Sequence, residues 1–136
     1  MSGPNDLYGK EMLELAEDCS HCGEVENGIK GEAKNPLCGD RMQVSVRVAD
    51  GIVAEARFNA RGCAISKAAG AQMSAMVEGL SVAEALGRAE ELKQAVDRNG
   101  PDNTREEFSL FRALRSVPSR KRCATLAWEA LEKAIR

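Results

Sequence analysis

Two runs of strict alternation lie side by side near the middle of the chain. In "MQVSVRV", Met42, Val44, Val46 and Val48 fall on one side, with Gln43, Ser45 and Arg47 on the other. In "IVAEARFNA", Ile52, Ala54, Ala56, Phe58 and Ala60 oppose Val53, Glu55, Arg57 and Asn59. A period of two is the signature of a half-buried strand. Asp50-Gly51 stands between the runs, a pair that tolerates the positive φ of a tight hairpin turn. The pattern therefore predicts a hairpin of strands over 42–48 and 52–60.

Elsewhere the spacing is helical. Leu7, Met12, Leu13 and Leu15 suit one face of a short N-terminal helix ending near Ala16. After it, "EDCSHCGEVENGIKGEAKNP" reads as loop with one short strand. From Cys63, "CAISKAAGAQMSAMVEG" predicts a small-residue helix stopped at Gly79. In "SVAEALGRAEELKQAV", Ser81 and Glu84 stand at capping-box spacing. "NTREEFSLFRALRSV" repeats that logic with Thr104 and Glu107, places Phe108, Phe111 and Leu114 on one face, and stops near Pro118. The final helix, "RCATLAWEALEKAI", carries a stripe of Cys123, Leu126, Ala127, Ala130, Leu131 and Ala134. Trp128, Phe108 and Phe111 are expected core anchors, and Met73 and Met76 expected packing residues. A small antiparallel sheet with helices packed on one face defines an α+β fold, expected to form one domain over residues 1–136.

Composition changes this picture only by exclusion. Nineteen basic and 21 acidic residues give a net charge of −2, and no basic block is dense enough to track a phosphate backbone. Nucleic acid is not an expected partner. The locally basic "RALRSVPSRKR" reads as a solvated connector or, alternatively, a docking patch for an acidic protein surface. No apolar run reaches bilayer length and the N-terminus lacks a signal-peptide core, so no membrane association and a cytoplasmic location are expected. Five cysteines in that setting read as reduced thiols or metal ligands rather than a disulfide framework.

The cysteines then carry the chemistry. Cys38 lies in "NPLCGD", in the loop before the first clear strand; Cys63 lies at a strand-to-helix junction; Cys123 is expected in the first turn of the last helix. Sulfurs near helix N-termini favour the thiolate, the form that binds metal and attacks sulfur. With Asp40 the set would be three sulfurs and one oxygen, suited to tetrahedral Zn²⁺ or one side of an iron site. The spacing lacks the close pairs of a zinc finger. On spacing alone, a shared site and three unrelated core cysteines both remain open.

Taken in order, "NPLCGD", "GCAIS" and "RKRCATLAW" resemble the U-type iron–sulfur cluster assembly proteins: IscU and NifU amino-terminal scaffolds and SufU sulfur-transfer proteins, a SufE/NifU-like fold. The resemblance runs from "LYGKEML" to the last helix. The long segment between Cys63 and Cys123, and Arg122 before the third cysteine where the scaffold branch has histidine, point to the SufU-like branch. It implies Cys38, Asp40, Cys63 and Cys123 as ligands of one Zn²⁺, with Fe or a [2Fe–2S] cluster as the alternative on the same side chains. It also implies a cysteine desulfurase as sulfur donor and a downstream scaffold or acceptor protein. Cys38, on a loop and followed by Gly39, is the expected persulfide acceptor, with Arg120 or Arg122 supporting the leaving thiolate or docking. A metal with only a structural role, in an adaptor, is the third alternative. One region departs: "LAEDCSHCGEV" replaces the family's histidine and Pro-Arg-Asn stretch. Cys19 and Cys22 are therefore not family ligands; they read either as a redox or metal-binding pair or as substitutions in an exposed loop. His21 is expected to face solvent.

Overall fold

The computed structural model describes residues 9–36 and 39–136. Helix α1 (Lys10–Glu17) leads into a loop. Strands β1 (Ile29–Asn35), β2 (Asp40–Ala49) and β3 (Ile52–Arg61) then form an antiparallel sheet in the order β1-β2-β3. Helices α2 (Ala64–Val77) and α3 (Val82–Val96), a 3-10 helix (Glu106–Ser116) and α4 (Pro118–Ile135) complete the chain. Among the described residues no helix is long and apolar enough to cross a membrane.

The hairpin turns where the sequence says it should: Asp50 and Gly51 both take positive φ, at 54° and 76°. Met42, Val44, Val46, Ala56 and Phe58 are buried beneath α2 and α4. The β3 pattern, however, is not one unbroken alternation. Arg47 pairs with Glu55 and Val48 with Val53, so Ala54 is an extra residue. This bulge reverses the parity of the strand's first half. Val53 is buried, whereas Ile52 and Ala54 are exposed, contrary to the simple reading. Ser45 lies on the polar face as expected, yet it is buried because its Oγ accepts the Val25 amide at 2.8 Å.

The helices follow their patterns with two corrections. Ser81 and Glu84 form the full capping box that starts α3. Thr104 does not cap its segment: Arg105 precedes it without any side-chain cap, and the segment is 3-10 rather than α-helical. Phe108, Phe111 and Leu114 recur every three residues, matching three residues per turn, and all three are buried. Phe108 meets Trp128 edge-on at 5.9 Å, anchoring this segment against α4. In α1, Met12 is buried but Leu13 is 45% exposed, so its apolar face is narrower than the sequence suggested; Leu7 lies outside the described residues. The six-residue stripe of α4 is wholly buried.

Candidate metal centre

Three elements end at one place. Asp40 opens β2, Cys63 caps α2 immediately after β3, and Cys123 lies on α4. Antiparallel pairing puts the start of β2 beside the end of β3, with Arg41 opposite Arg61. That register brings the Asp40 carboxylate to the Gly62-Cys63 turn. A side chain at position 62 would be driven into the Asp40 carboxylate, so the turn closes here only because it is glycine. Cys123 arrives from above. It is the sixth residue of α4, which starts at Pro118, and so sits in the second turn rather than the first. The expected helix-terminus effect thus applies to Cys63 alone.

The potential ligand atoms of Asp40, Cys63 and Cys123 all lie within 4.8 Å of one another. Asp40 is 4% exposed and Cys123 fully buried, while Cys63 is half-buried. Cys63 Sγ lies 3.6 Å from Asp40 Oδ2, and Ser66 Oγ donates to the same oxygen at 2.7 Å. Ser66 is also 3.7 Å from Cys63 Sγ. Its role went unread in the sequence, although it lies in "GCAIS", three residues after Cys63 and on the same side of the helix. Cys38 lies outside the described residues.

The electrostatics of this cluster set its two sulfurs apart. A hydrogen bond from the Cys123 thiol is the main influence that pulls Cys63 down to about 6; burial opposes it, the Ser66 amide and hydroxyl assist, and the Asp40 charge opposes. Cys123 is pushed far up, first by that same bond and then by burial and the neighbouring negative charges. The two sulfurs behave as a pair sharing one proton. Ionising both beside a buried carboxylate would collect negative charge in a site where each uncompensated ion costs several kcal/mol. A divalent cation removes that conflict.

The donor set fits such an ion. Zn²⁺ takes sulfur at about 2.3 Å and carboxylate oxygen at about 2.1 Å, which puts tetrahedral S and O neighbours about 3.6 Å apart. The observed Cys63–Asp40 separation is 3.6 Å. Asp40, Cys63 and Cys123 would hold the ion, with one position left for a further ligand.

Cys19 and Cys22 take no part in this cluster. They are joined by a disulfide, contrary to the general expectation of reduced thiols or ligands but compatible with the redox-pair alternative for these two residues. The reason is local: a turn with Cys22 N–H donating to Cys19 O at 3.2 Å brings the two residues face to face. His21 is not solvent-facing as expected. Its Nε2 lies 2.9 Å from Glu78 Oε1, with only 22% of the side chain exposed. Arg120 is half-buried in the first turn of α4, three residues before Cys123. Arg122 is exposed and donates to Glu129 at 3.1 Å.

Known proteins resemble the chain over nearly its whole length. It is 27% identical over 131 residues to the zinc-dependent sulfurtransferase SufU of Bacillus subtilis (strain 168), covering 95% of this chain and 89% of that one. It is 30% identical over 140 residues to the iron–sulfur cluster assembly scaffold protein IscU of Streptococcus pyogenes serotype M1, covering 100% of this chain and 87% of the relative. The crystal structure of FiSufU, from thermophilic Fervidobacterium islandicum AW-1, shares the fold with a TM-score of 0.90 at 24% identity, over 98% of this chain and 100% of that chain. The model of the NifU-like N-terminal domain matches residues 7–136, and the chain belongs to that family.

Proposed function

We propose that this chain, acting as one domain, is a zinc-bound sulfur-transfer protein of iron–sulfur cluster assembly. In this reading it accepts persulfide sulfur from a cysteine desulfurase and passes it to a downstream scaffold or acceptor. The observation that carries the proposal is the convergence of a buried carboxylate and two sulfurs from three separate elements within 4.8 Å. Cys38 is the fourth member of the set. It precedes Asp40 by two residues, so covalent geometry keeps their Cα atoms within about 7 Å. Bound Zn²⁺ would keep its cysteines deprotonated at neutral pH.

The transfer itself belongs to Cys38. Its thiolate attacks the terminal sulfur of the donor's persulfide; the donor's S–S bond breaks, and the donor cysteine leaves as a thiolate. Sulfur moves without net oxidation or reduction. Gly39, at φ 75° with open space where a side chain would stand, gives the chain next to Cys38 freedom that a larger residue lacks. Ser66 orients Asp40 through the 2.7 Å hydrogen bond. Arg120, one turn before Cys123, or Arg122, beside it in sequence, would offer a cation to the departing thiolate.

The SufU relative, named as a zinc-dependent sulfurtransferase, favours this reading. The IscU relatives favour a second one, in which the same side chains hold a nascent [2Fe–2S] cluster as cargo. Metal and sulfide analysis of freshly isolated protein separates them. About one zinc per chain and no visible chromophore is the expected result. A brown protein with acid-labile sulfide after anaerobic isolation would replace transfer by scaffolding. Cys38→Ala should abolish sulfur acceptance from a desulfurase supplied with cysteine while leaving the fold intact. Unchanged acceptance would refute the assignment of Cys38, and lost stability with no transfer in either form would leave an adaptor with a structural metal.

A further inference from the structure

The loop between α1 and β1 carries chemistry that the metal centre does not use. We propose that Cys19 and Cys22 form an exchangeable dithiol–disulfide centre whose substrate class is a dithiol. Four observations carry this.

First, the bond cross-links nothing that is far apart. Both cysteines lie in one loop, three residues from each other, so the bond ties no two elements together. Stabilisation by a disulfide grows with the loop it closes, and this loop is about as short as such loops come. A purely structural role is therefore poorly served. Second, the two sulfur-bearing residues are unequally accessible: Cys19 is exposed and Cys22 half-buried. That asymmetry gives one residue open to attack and one shielded partner able to resolve a mixed disulfide.

Third, both cysteines line a cavity of about 450 Å³ together with Glu17, Phe58, Ala60 and Lys67. An incoming thiol has room there, between one cation, Lys67, and one anion, Glu17. Fourth, the loop does not depend on the disulfide for its position. Phe58 N–H donates to His21 O and Gly23 N–H donates to Phe58 O, each at 2.9 Å, stitching the loop to β3. His21 also reaches Glu78 beyond the end of α2. After reduction the two thiols would stay opposed and ready to close again.

A thiolate of the incoming dithiol attacks Cys19 Sγ; the Cys19–Cys22 bond breaks, and Cys22 leaves as a thiolate that is protonated by water. The second thiol of the reductant then attacks its own sulfur in the mixed disulfide and releases Cys19, which is protonated in turn. Two electrons and two protons pass to the protein, and the dithiol becomes a disulfide.

The test uses the full chain under native conditions. Oxidised protein is equilibrated with dithiothreitol at graded reduced-to-oxidised ratios, quenched in acid, alkylated, and mapped by peptide mass. The Cys19–Cys22 peptide should pass from disulfide to dithiol across the series without denaturant. With glutathione disulfide, Cys22→Ser should collect a mixed disulfide at Cys19 about tenfold more readily than Cys19→Ser collects one at Cys22. A peptide that stays oxidised until the chain is unfolded would overturn the proposal, as would one found reduced at the oxidising end or equal capture by both variants. If either variant fails to fold, the wild-type titration still decides. Neither arm reads Cys38, so failure here and failure of the sulfur-transfer reading are distinguishable.

Discussion

Asp40, Cys63 and Cys123 reach one another from β2, the start of α2 and the second turn of α4, whereas Cys19 and Cys22 meet across a single turn of loop. The first cluster exists only when the sheet has its register and α4 has docked. The second is formed by its own local backbone. Burial differs in the same sense: Asp40 and Cys123 are buried and Cys63 half-buried, whereas Cys22 is half-buried and Cys19 exposed. An ion at the first cluster would be held by residues that only tertiary packing brings together. Chemistry that needs access to another thiol is placed where packing is thin.

The largest expected difference is therefore in coupling to the fold. Zinc at about 100 times its dissociation constant should stabilise the native state by about 2.7 kcal/mol. For a chain of this size that corresponds to roughly 10 °C in melting temperature. Chelation should remove that increment in calorimetry, and Cys123→Ser should lose it even with zinc present. A melting temperature indifferent to zinc would erase the contrast.

Next comes the support around the ion. Ser66→Ala removes the hydroxyl that holds Asp40 and should weaken zinc affinity by roughly 10- to 100-fold, read by competition with a chromophoric chelator. The same change should leave the Cys19–Cys22 exchange untouched. Equal zinc affinity in variant and wild type would show that Asp40 is placed without Ser66.

A third effect concerns pH. In the metal-free protein Cys63 is held down to about 6, chiefly by the bond from Cys123, while Cys123 is held well above its ordinary value. Alkylation at Cys63 should thus rise as pH passes through about 6, and Cys123 should remain unlabelled at pH 7. Peptide mapping after brief iodoacetamide treatment separates the two. Equal labelling would mean that the proton is not shared as described.

The smallest effect belongs to the loop's anchor. Burial raises the Glu78 carboxyl, but hydrogen bonds from His21 and the Ala56 amide outweigh it and leave the group below its ordinary value. A carboxylate depressed in the folded state contributes stability above its unfolded pKa, near 4.5, and loses it as pH falls through the folded value. Glu78→Gln should cost at most about 1 kcal/mol at pH 7, since the pair is partly exposed. The cost should vanish at strongly acidic pH, as followed by urea denaturation.

Much of this was legible in the residues. Alternation and Asp50-Gly51 marked the hairpin, and Ser81 with Glu84 marked the start of α3. The bulge at Ala54 was not visible, because one extra residue leaves local composition unchanged and is revealed only by the partner strand. Phe108, Phe111 and Leu114 fall on one face, but their spacing suits an α-helix nearly as well as a 3-10 helix. Asp40, Cys63 and Cys123 are candidates by their places at element ends, but spacing alone leaves a shared site open and only the resemblance implies it, since ligands drawn from separate elements have no characteristic interval. Ser66 and Gly62 act through contacts that only folding creates. The Cys19–Cys22 bond ran against the cellular expectation, because compartment rules do not register two cysteines that a turn sets face to face.

The most direct measurement is X-ray absorption at the zinc edge on the reduced full chain loaded with one equivalent of zinc. A four-coordinate ion with three sulfur neighbours at about 2.3 Å and one oxygen at about 2.0–2.2 Å is the expected result. Cys38→Ala should replace one sulfur by a lighter atom. A first shell of nitrogen and oxygen alone, or a sulfur count that none of Cys38, Cys63 and Cys123 alters, would contradict it.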